Sequence, residues 1–328
     1  MQEFVFRQKL YFNIINISME NECKFVSSRG LLKYCTFKCE TPNSYNYSEY
    51  ITKPDVLYLD NINETNSFHG MSIYICSVVL PYFILKILPF IKHNFYLISG
   101  DSDVTIPNDI LSKDMFYILI DNSYLIKWFP QNCVIRHNKI SHLPIGLDYH
   151  TFNYTPAPPY YINPTPLWNT SNKSLLPIEQ EKILLIIQKT APPFYHRIAK
   201  IYANLNVKND RFKQRMLLFK IIPPNLLIHQ KMTIDRTLLW KEMTKYAFII
   251  SPPGVGLDCH RTYEALCLGC IPIVIGEFLN NIFEDLPVLT VKSWSNVTQE
   301  LLDKTLIDFK GKKFNYDKLD LQYWTSQF

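Results

Sequence analysis

The chain has 328 residues, 47% of them apolar and 19% charged, and a formal net charge of +5 from 34 basic and 29 acidic side chains. That balance excludes a disordered chain, and the length suits two domains. The small positive excess suits a ligand carrying phosphates. A nucleic-acid binder needs a concentrated basic stripe, and the densest cluster here, Lys310, Lys312 and Lys313, reads as a solvated turn.

The first 70 residues, rich in Tyr, Asn and Ser, read as loops and short strands. The opening stretch lacks the apolar core and cleavage site of a secretory signal, so a cytoplasmic location is expected, in the host cytoplasm if the source is a virus. Met71 to Ile91 is long enough to span a bilayer, but Pro81, Lys86 and Pro89 interrupt it. A buried helix running into the strand "FYLIS" (Phe95–Ser99) is expected instead, with no transmembrane segment. "SGDSD" then places Asp101 and Asp103 at a strand end. Met115 to Asn122 is expected as a strand. Two short apolar runs follow, "WFPQNCVI" and "ISHLPIGLDYH", the latter holding His142 and His150.

Thr151 to Glu181 holds six prolines, which rules out a central strand or a helix interior. It reads as a domain connection. Beyond it, "KILLIIQ" (Lys182–Gln188) is expected as a buried strand. "PFYHRIAKIYANL" is expected as an amphipathic helix with Ile198, Ile201, Tyr202 and Leu205 on one face. "NLLIHQ" reads as a strand, and "DRTLLWKEMTKY" as a helix capped by Asp235. "AFIISPP" reads as a strand, "CHRTYEALCLG" as a helix ended by Gly269, "CIPIVIG" as a strand, and Val297 to Phe309 as a helix. Strands alternating with helices point to α/β architecture with parallel sheets.

Eight cysteines with no signal peptide read as reduced thiols. Cys259, His260, Cys267 and Cys270 could be drawn as a zinc site, but their spacing departs from the usual paired modules. Small buried apolar residues are the competing reading.

The chemistry concentrates in "SPPGVGLDCHRTYEALCLGCIPIV" (Ser251–Val274). Gly254 and Gly256 lie between a buried strand and a helix start, where unpaired N–H groups and a partial positive charge favour phosphate. Arg261 in the first turn adds a planar cation, and Glu264, three residues on, can accept from the vicinal diol of a ribose. Together these describe a nucleoside diphosphate site. The rival reading is a surface Arg–Glu ion pair beside an ordinary glycine turn. For Asp101 and Asp103 three roles stay open: a loop cap, a metal-binding Asp-x-Asp, or a general base facing a cleft.

The same stretch resembles the donor-site segment of exostosin-like glycosyltransferases, a GT-B-type family that includes plant cell-wall and giant-virus sugar transferases. The match runs through Pro252, Gly254, Arg261, Glu264, Ala265, Gly269, Cys270, Ile271 and Pro272. "SGDSD", "QNC", "LPIGLDYH" and "LQYW" are similar to the same group, so the resemblance covers about residues 73 to 324. It implies a GT-B fold, two Rossmann-like domains facing a cleft. The acceptor-side domain would span residues 1–165 and the donor domain 166–310, with a tail, 311–328, returning to the first. It implies transfer from a UDP- or GDP-sugar to a glycan hydroxyl, with inversion and without a metal or other cofactor. The donor set would be Arg197, Ser251, Pro252, Gly254, Gly256, Asp258, His260, Arg261 and Glu264, with Lys189 and His196 near Arg197 as weaker candidates. The base would come from the first domain, as Asp101 or Asp103. Two rivals remain: a metal-dependent GT-A-type transferase using those two aspartates, and a non-catalytic nucleotide- or glycan-binding protein.

Overall fold

A computed structural model of the chain describes residues 20–38, 71–149, 175–232, 234–276 and 279–328. His150, the prolines between 151 and 174, and most of the first 70 residues lie outside them.

The first half is built on β1 (Phe37–Lys38), β2 (Met71–Cys76), β3 (Phe95–Gly100) and β4 (Leu125–Pro130). They lie side by side in chain order and are all parallel. Side chains alternate across the sheet, as the two-residue period of a strand requires. Ile73, Ile75, Leu97 and Trp128 fill a core on one face, and Tyr74, Ile98 and Phe129 feed the other.

The second half carries β5 (Ile198–Ala203), β6 (Leu227–His229), β7 (Tyr246–Ile250), β8 (Ile271–Ile275) and β9 (Leu289–Val291). These are again all parallel, in the order β6-β5-β7-β8-β9. Strand order reverses between β5 and β7, and such a switch point opens a crevice beyond the strands' carboxyl ends. The chain is thus α/β, with two Rossmann-like units in the GT-B manner. One apolar cluster runs through both, joining Leu31, Tyr74 and Phe129 to Leu184, Trp240, Tyr263 and Trp324.

The helices are α1 (Ser28–Tyr34), α2 (Lys113–Ile120), α3 (Pro177–Thr190), α4 (Gln214–Ile221), α5 (Arg236–Met243), α6 (His260–Cys267), α7 (Gln299–Lys310) and α8 (Leu321–Thr325). Asp235 caps α5, its Oδ1 accepting from the N–H groups of Thr237 and Leu238. After α6, Gly269 takes a left-handed φ of 71°.

Four sequence expectations are corrected. Met115–Ile120 is helical, because Ser112 caps α2 through the Met115 N–H and Asp114 sits in its first turn. "KILLIIQ" lies inside α3, where Pro177 opens the helix and Glu179 accepts from the Leu176 N–H. The apolar run is one face of a 14-residue helix that overflows the core, leaving Ile186 63% exposed. "IAKIYA" is the strand β5 rather than a helix. Its β-branched and aromatic residues, hemmed by Pro192 and Pro193, fit a slot between two strands. Met71–Cys76 is a strand, and only Ser77–Phe90 is helical, as short turns around Pro81 and Pro89. Among the described residues no helix is long and apolar enough to cross a membrane.

One short segment ties the halves together. Val26 N–H donates to Leu319 O at 2.8 Å, and Leu321 N–H to Lys24 O at 2.7 Å. On its other side Leu147 N–H donates to Val26 O at 2.8 Å. The tail thus runs beside residues 24–26, and the Phe328 ring meets Phe129 of β4 at 5.4 Å. From α3, the buried Glu181 carboxylate accepts from Lys24 N–H (2.8 Å), Phe25 N–H (3.0 Å) and Tyr149 O–H (2.6 Å). Glu181→Ala strands three donors and is expected to destabilise the protein by about 3 kcal/mol, measured by urea unfolding. A loss under about 1 kcal/mol would show the segment to be held by packing alone.

Candidate functional site

The carboxyl ends of the two sheets meet. From the first half come Gly100–Asp103 after β3, Gln131–Asn132 after β4, and the loop Leu143–Asp148. From the second come the turn Ser251–Asp258 after β7 and the start of α6. Asp101 and Asn132 both hold left-handed backbones, with φ of 54° and 51°. Such strain in non-glycine residues gathers at functional sites.

The joint is built of buried polar bonds. Asp258 Oδ2 accepts from Ile145 N–H at 3.0 Å and from Tyr263 O–H at 2.5 Å, and Oδ1 from Cys259 N–H at 2.9 Å. Its own N–H donates to Asn132 Oδ1 at 2.8 Å. Burial pushes its carboxyl up to about 6, against the pull of those donors. His260 Nδ1 meets Gly146 O at 2.7 Å. At the rim Arg211 grips Asp109 with two bonds, of 2.6 and 2.7 Å, which hold that carboxyl near 2. Asp258 and His260, expected at the donor, thus position the turn and α6 against the first half.

The turn needs its glycines. A Cβ on Gly254 would run into the Arg215 guanidinium, and one on Gly256 would come within 2.9 Å of Asp103 Oδ1. Arg215 is buried and donates to Asn206 O (2.8 Å) after β5 and to Pro253 O (3.3 Å) after β7. It therefore spans the switch point. Arg261, half-buried in the first turn of α6, has no hydrogen bond or ion pair among the described residues. Burial, with repulsion from Arg215, lowers its pKa. Two guanidiniums thus crowd a helix start and a glycine turn, where an anion would relieve both.

Glu264 is engaged. Its Oε1 accepts from Arg236 Nε (3.0 Å) and Nη2 (2.8 Å), and Arg236 also reaches Asp148 O and Gln180 Oε1. Its Oε2 accepts no hydrogen bond among the described residues. Ser251 Oγ bonds Thr262 Oγ1 at 2.9 Å, and Pro252 O takes the Cys259 thiol. Beside them a small depression lies between the ends of β7 and β8, lined by Ser251, Pro253, Thr262, Val274, Gly276 and Phe283.

Arg197 is not brought to this site. It precedes β5, at the amino ends of the strands, and donates to Pro192 O, Leu268 O and Cys270 Sγ. The strand expected over Lys182–Gln188 would have put it in a loop facing the cleft; that stretch is α3, and Arg197 precedes β5 instead. His142 bonds Ile135 O in its own loop. The described cysteines form no disulfide with one another, and no group of three or more His, Cys, Asp or Glu with metal-holding geometry occurs among the described residues. Arg215, Asn132 and Ile145 escaped the sequence reading, since each earns its place only through a partner distant in the chain.

No family model matches the chain, and no curated protein matches it in sequence. Among solved structures, the apo structure of OtsA is similar at 11% identity and a TM-score of 0.35, over 83% of this chain and 75% of that one. A likeness at that level leaves the fold to rest on the two sheets themselves.

The Asp258 carboxyl titrates near 6 in the fold and near 4 in an unfolded chain. Between those values the native state holds the extra proton, so its contribution to stability falls as pH rises through the window. The stability of the parent relative to Asp258→Asn is expected to drop by about 3 kcal/mol from pH 4 to pH 7. Unfolding curves at intervals across that range test it, and a difference that stays flat or rises would show the carboxyl to be ionised throughout.

Proposed function

We propose that the protein is a glycosyltransferase that moves a sugar from a nucleoside diphosphate donor to a hydroxyl acceptor. The observation that carries this reading is Arg261, a cation without a partner among the described residues, set beside the buried Arg215 at the start of α6. Two adjacent like charges are costly unless an anion joins them. A diphosphate supplies the charge and the paired oxygens that two guanidinium forks take up. Glu264 Oε2 would accept from the ribose diol, with Oε1 fixed by Arg236. The exostosin-like pattern of Ser251–Val274 supports the same assignment.

In this reading the acceptor enters from the first half, where Asp101 and Asp103 are the candidate bases. The acceptor oxygen attacks the anomeric carbon, a carboxylate takes its proton, and the bond to the diphosphate breaks with its electron pair going to phosphate. Arg261, Arg215 and the α6 start stabilise the charge that develops on the leaving group, the largest single contribution in many active sites. Inversion and metal independence belong to the same proposal. Turnover lost to a chelator and restored by manganese would favour the Asp101/Asp103 metal alternative.

Isothermal calorimetry with UDP and GDP tests the donor site. The parent should bind one of them, and Arg261→Ala should weaken it roughly 10- to 100-fold. The unfolding transition should not move, because Arg261 holds nothing else in place. Arg261→Lys should recover only part, since an ammonium lacks the fork. No binding by the parent to either nucleotide, or equal affinity in Arg261→Ala, would overturn the reading.

A further inference from the structure

The residue that departs furthest from ordinary protein chemistry lies outside every motif so far described. Glu20 is 1% exposed, and among the described residues neither of its carboxylate oxygens has a hydrogen-bond partner. A buried carboxylate left without donors costs far more than a surface one, and folds retain such groups where a ligand completes them.

Its position connects it to the acceptor side. Gln131 Oε1, at the end of β4, accepts from both Asp101 N–H and Ser28 Oγ, each at 3.1 Å. That shared oxygen pins the start of α1 over the end of β3. Two residues along α1, a Cβ on Gly30 would come within 3.2 Å of Glu20 O. Leu147, bonded to Val26 O, brings the loop with Asp148 to the same side. Arg29 and Lys33 of α1, Asp101 after β3 and Asp148 of that loop are the charged groups that face Glu20. Asp101 in turn feels Arg29, Asp148, His260 and Asp103. Three carboxylates from separate stretches therefore act on one another at the carboxyl edge of the first sheet.

We propose that Glu20 is a catalytic residue of this site, the base that receives the proton of the acceptor hydroxyl, with Asp101 orienting that hydroxyl. The assignment rests on the glycosyltransferase reading above. In the step, the hydroxyl oxygen bonds the anomeric carbon as its proton passes to a Glu20 oxygen. The bond from that carbon to the diphosphate breaks with both electrons leaving on phosphate. The hydroxyl supplies the donor that the buried carboxylate lacks. Burial pushes Glu20 up to about 7, with Asp101 and Asp148 adding to the rise and Arg29 and Lys33 opposing it. A base poised there is half ionised at neutral pH and still strong enough to take a proton.

The test uses the full chain with UDP-glucose, UDP-galactose and GDP-mannose, following nucleoside diphosphate release to water and to lactose. Glu20→Gln should cut turnover by about 100-fold or more while nucleoside diphosphate affinity stays within about twofold. The parent kcat/KM should fall as pH drops through about 7, and that limb should vanish in Glu20→Gln and persist in Asp101→Asn. Glu20→Gln should also be at least as stable as the parent at pH 8, because the amide removes an uncompensated buried charge. Glu20→Asp should restore the pH limb if the glutamine variant folds poorly. Turnover of Glu20→Gln within a few-fold of the parent, survival of the limb, or a parent that binds nucleotide yet releases no sugar would overturn Glu20 as the base. A parent that binds no nucleoside diphosphate would instead overturn the donor reading on which it rests.

Discussion

A carboxylate buried at a joint survives only where its lone pairs are taken, and Asp258 is held in that way by two backbone N–H groups and a phenol. One of those N–H groups belongs to Ile145 and so to the other half of the molecule. The consequence reaches further than the joint. With the Asp258 N–H on Asn132, the turn that carries Gly254 and Gly256 is fixed from both ends of a single residue. The first turn of α6 follows directly, so the direction of its unpaired N–H groups and of Arg261 is set by a bond to the opposite sheet. A turn placed this way cannot be moved without moving the halves, which ties the start of α6 to the joint.

Charge is partitioned across that joint. The second half offers Arg215 and Arg261 at the switch point, with no carboxylate pairing Arg261 among the described residues. The first half offers Glu20, Asp101 and Asp148, with Arg29 and Lys33 beside them. Pairing the two sets directly would give an ordinary interdomain ion-pair network. Instead, the direct pairs lie elsewhere, Arg211 with Asp109 at the rim and Arg236 with Glu264 inside. Arg215 and Arg261 on one side and Glu20, Asp101 and Asp148 on the other are left out of those pairs. That polarity is the one the proposed donor, with its negative leaving group, and a hydroxyl nucleophile would use.

Much of the second half was legible because its signals are local. The strand–turn–helix–strand run from Ala247 to Gly276, the Asp235 cap and the left-handed Gly269 each depend on a few neighbours. Apolar runs were ambiguous. "KILLIIQ" and "MFYILI" are continuous enough to pass for buried strands, and only the capping residues upstream, Pro177 with Glu179 and Ser112 with Asp114, separate them from strands. "IAKIYA" failed in the reverse direction, since two isoleucines three apart match a helical face as well as alternate positions of a twisted strand. Arg197 was lost with it. Residues 20–34 gave no signal at all, because their role comes from bonds to Gln131, Glu181 and Leu319 more than a hundred positions away.

That silent segment changes what the first sheet is for. The four strands described, parallel and in simple chain order, have no switch point among them. Residues 24–27 supply what the order lacks. They wedge between the Gly146 loop and the tail, backed by the Glu181 carboxylate, and carry the short helical turn Glu20–Glu22 on one side and α1 on the other. Gly146 must be glycine for this, because its left-handed backbone lies against Val26 O where a Cβ could not fit. The tail completes the wedge through Leu319 and Leu321. One wall of the joint is thus assembled from residues 24–27, the Gly146 loop and the tail, and it stands only when all three are in place.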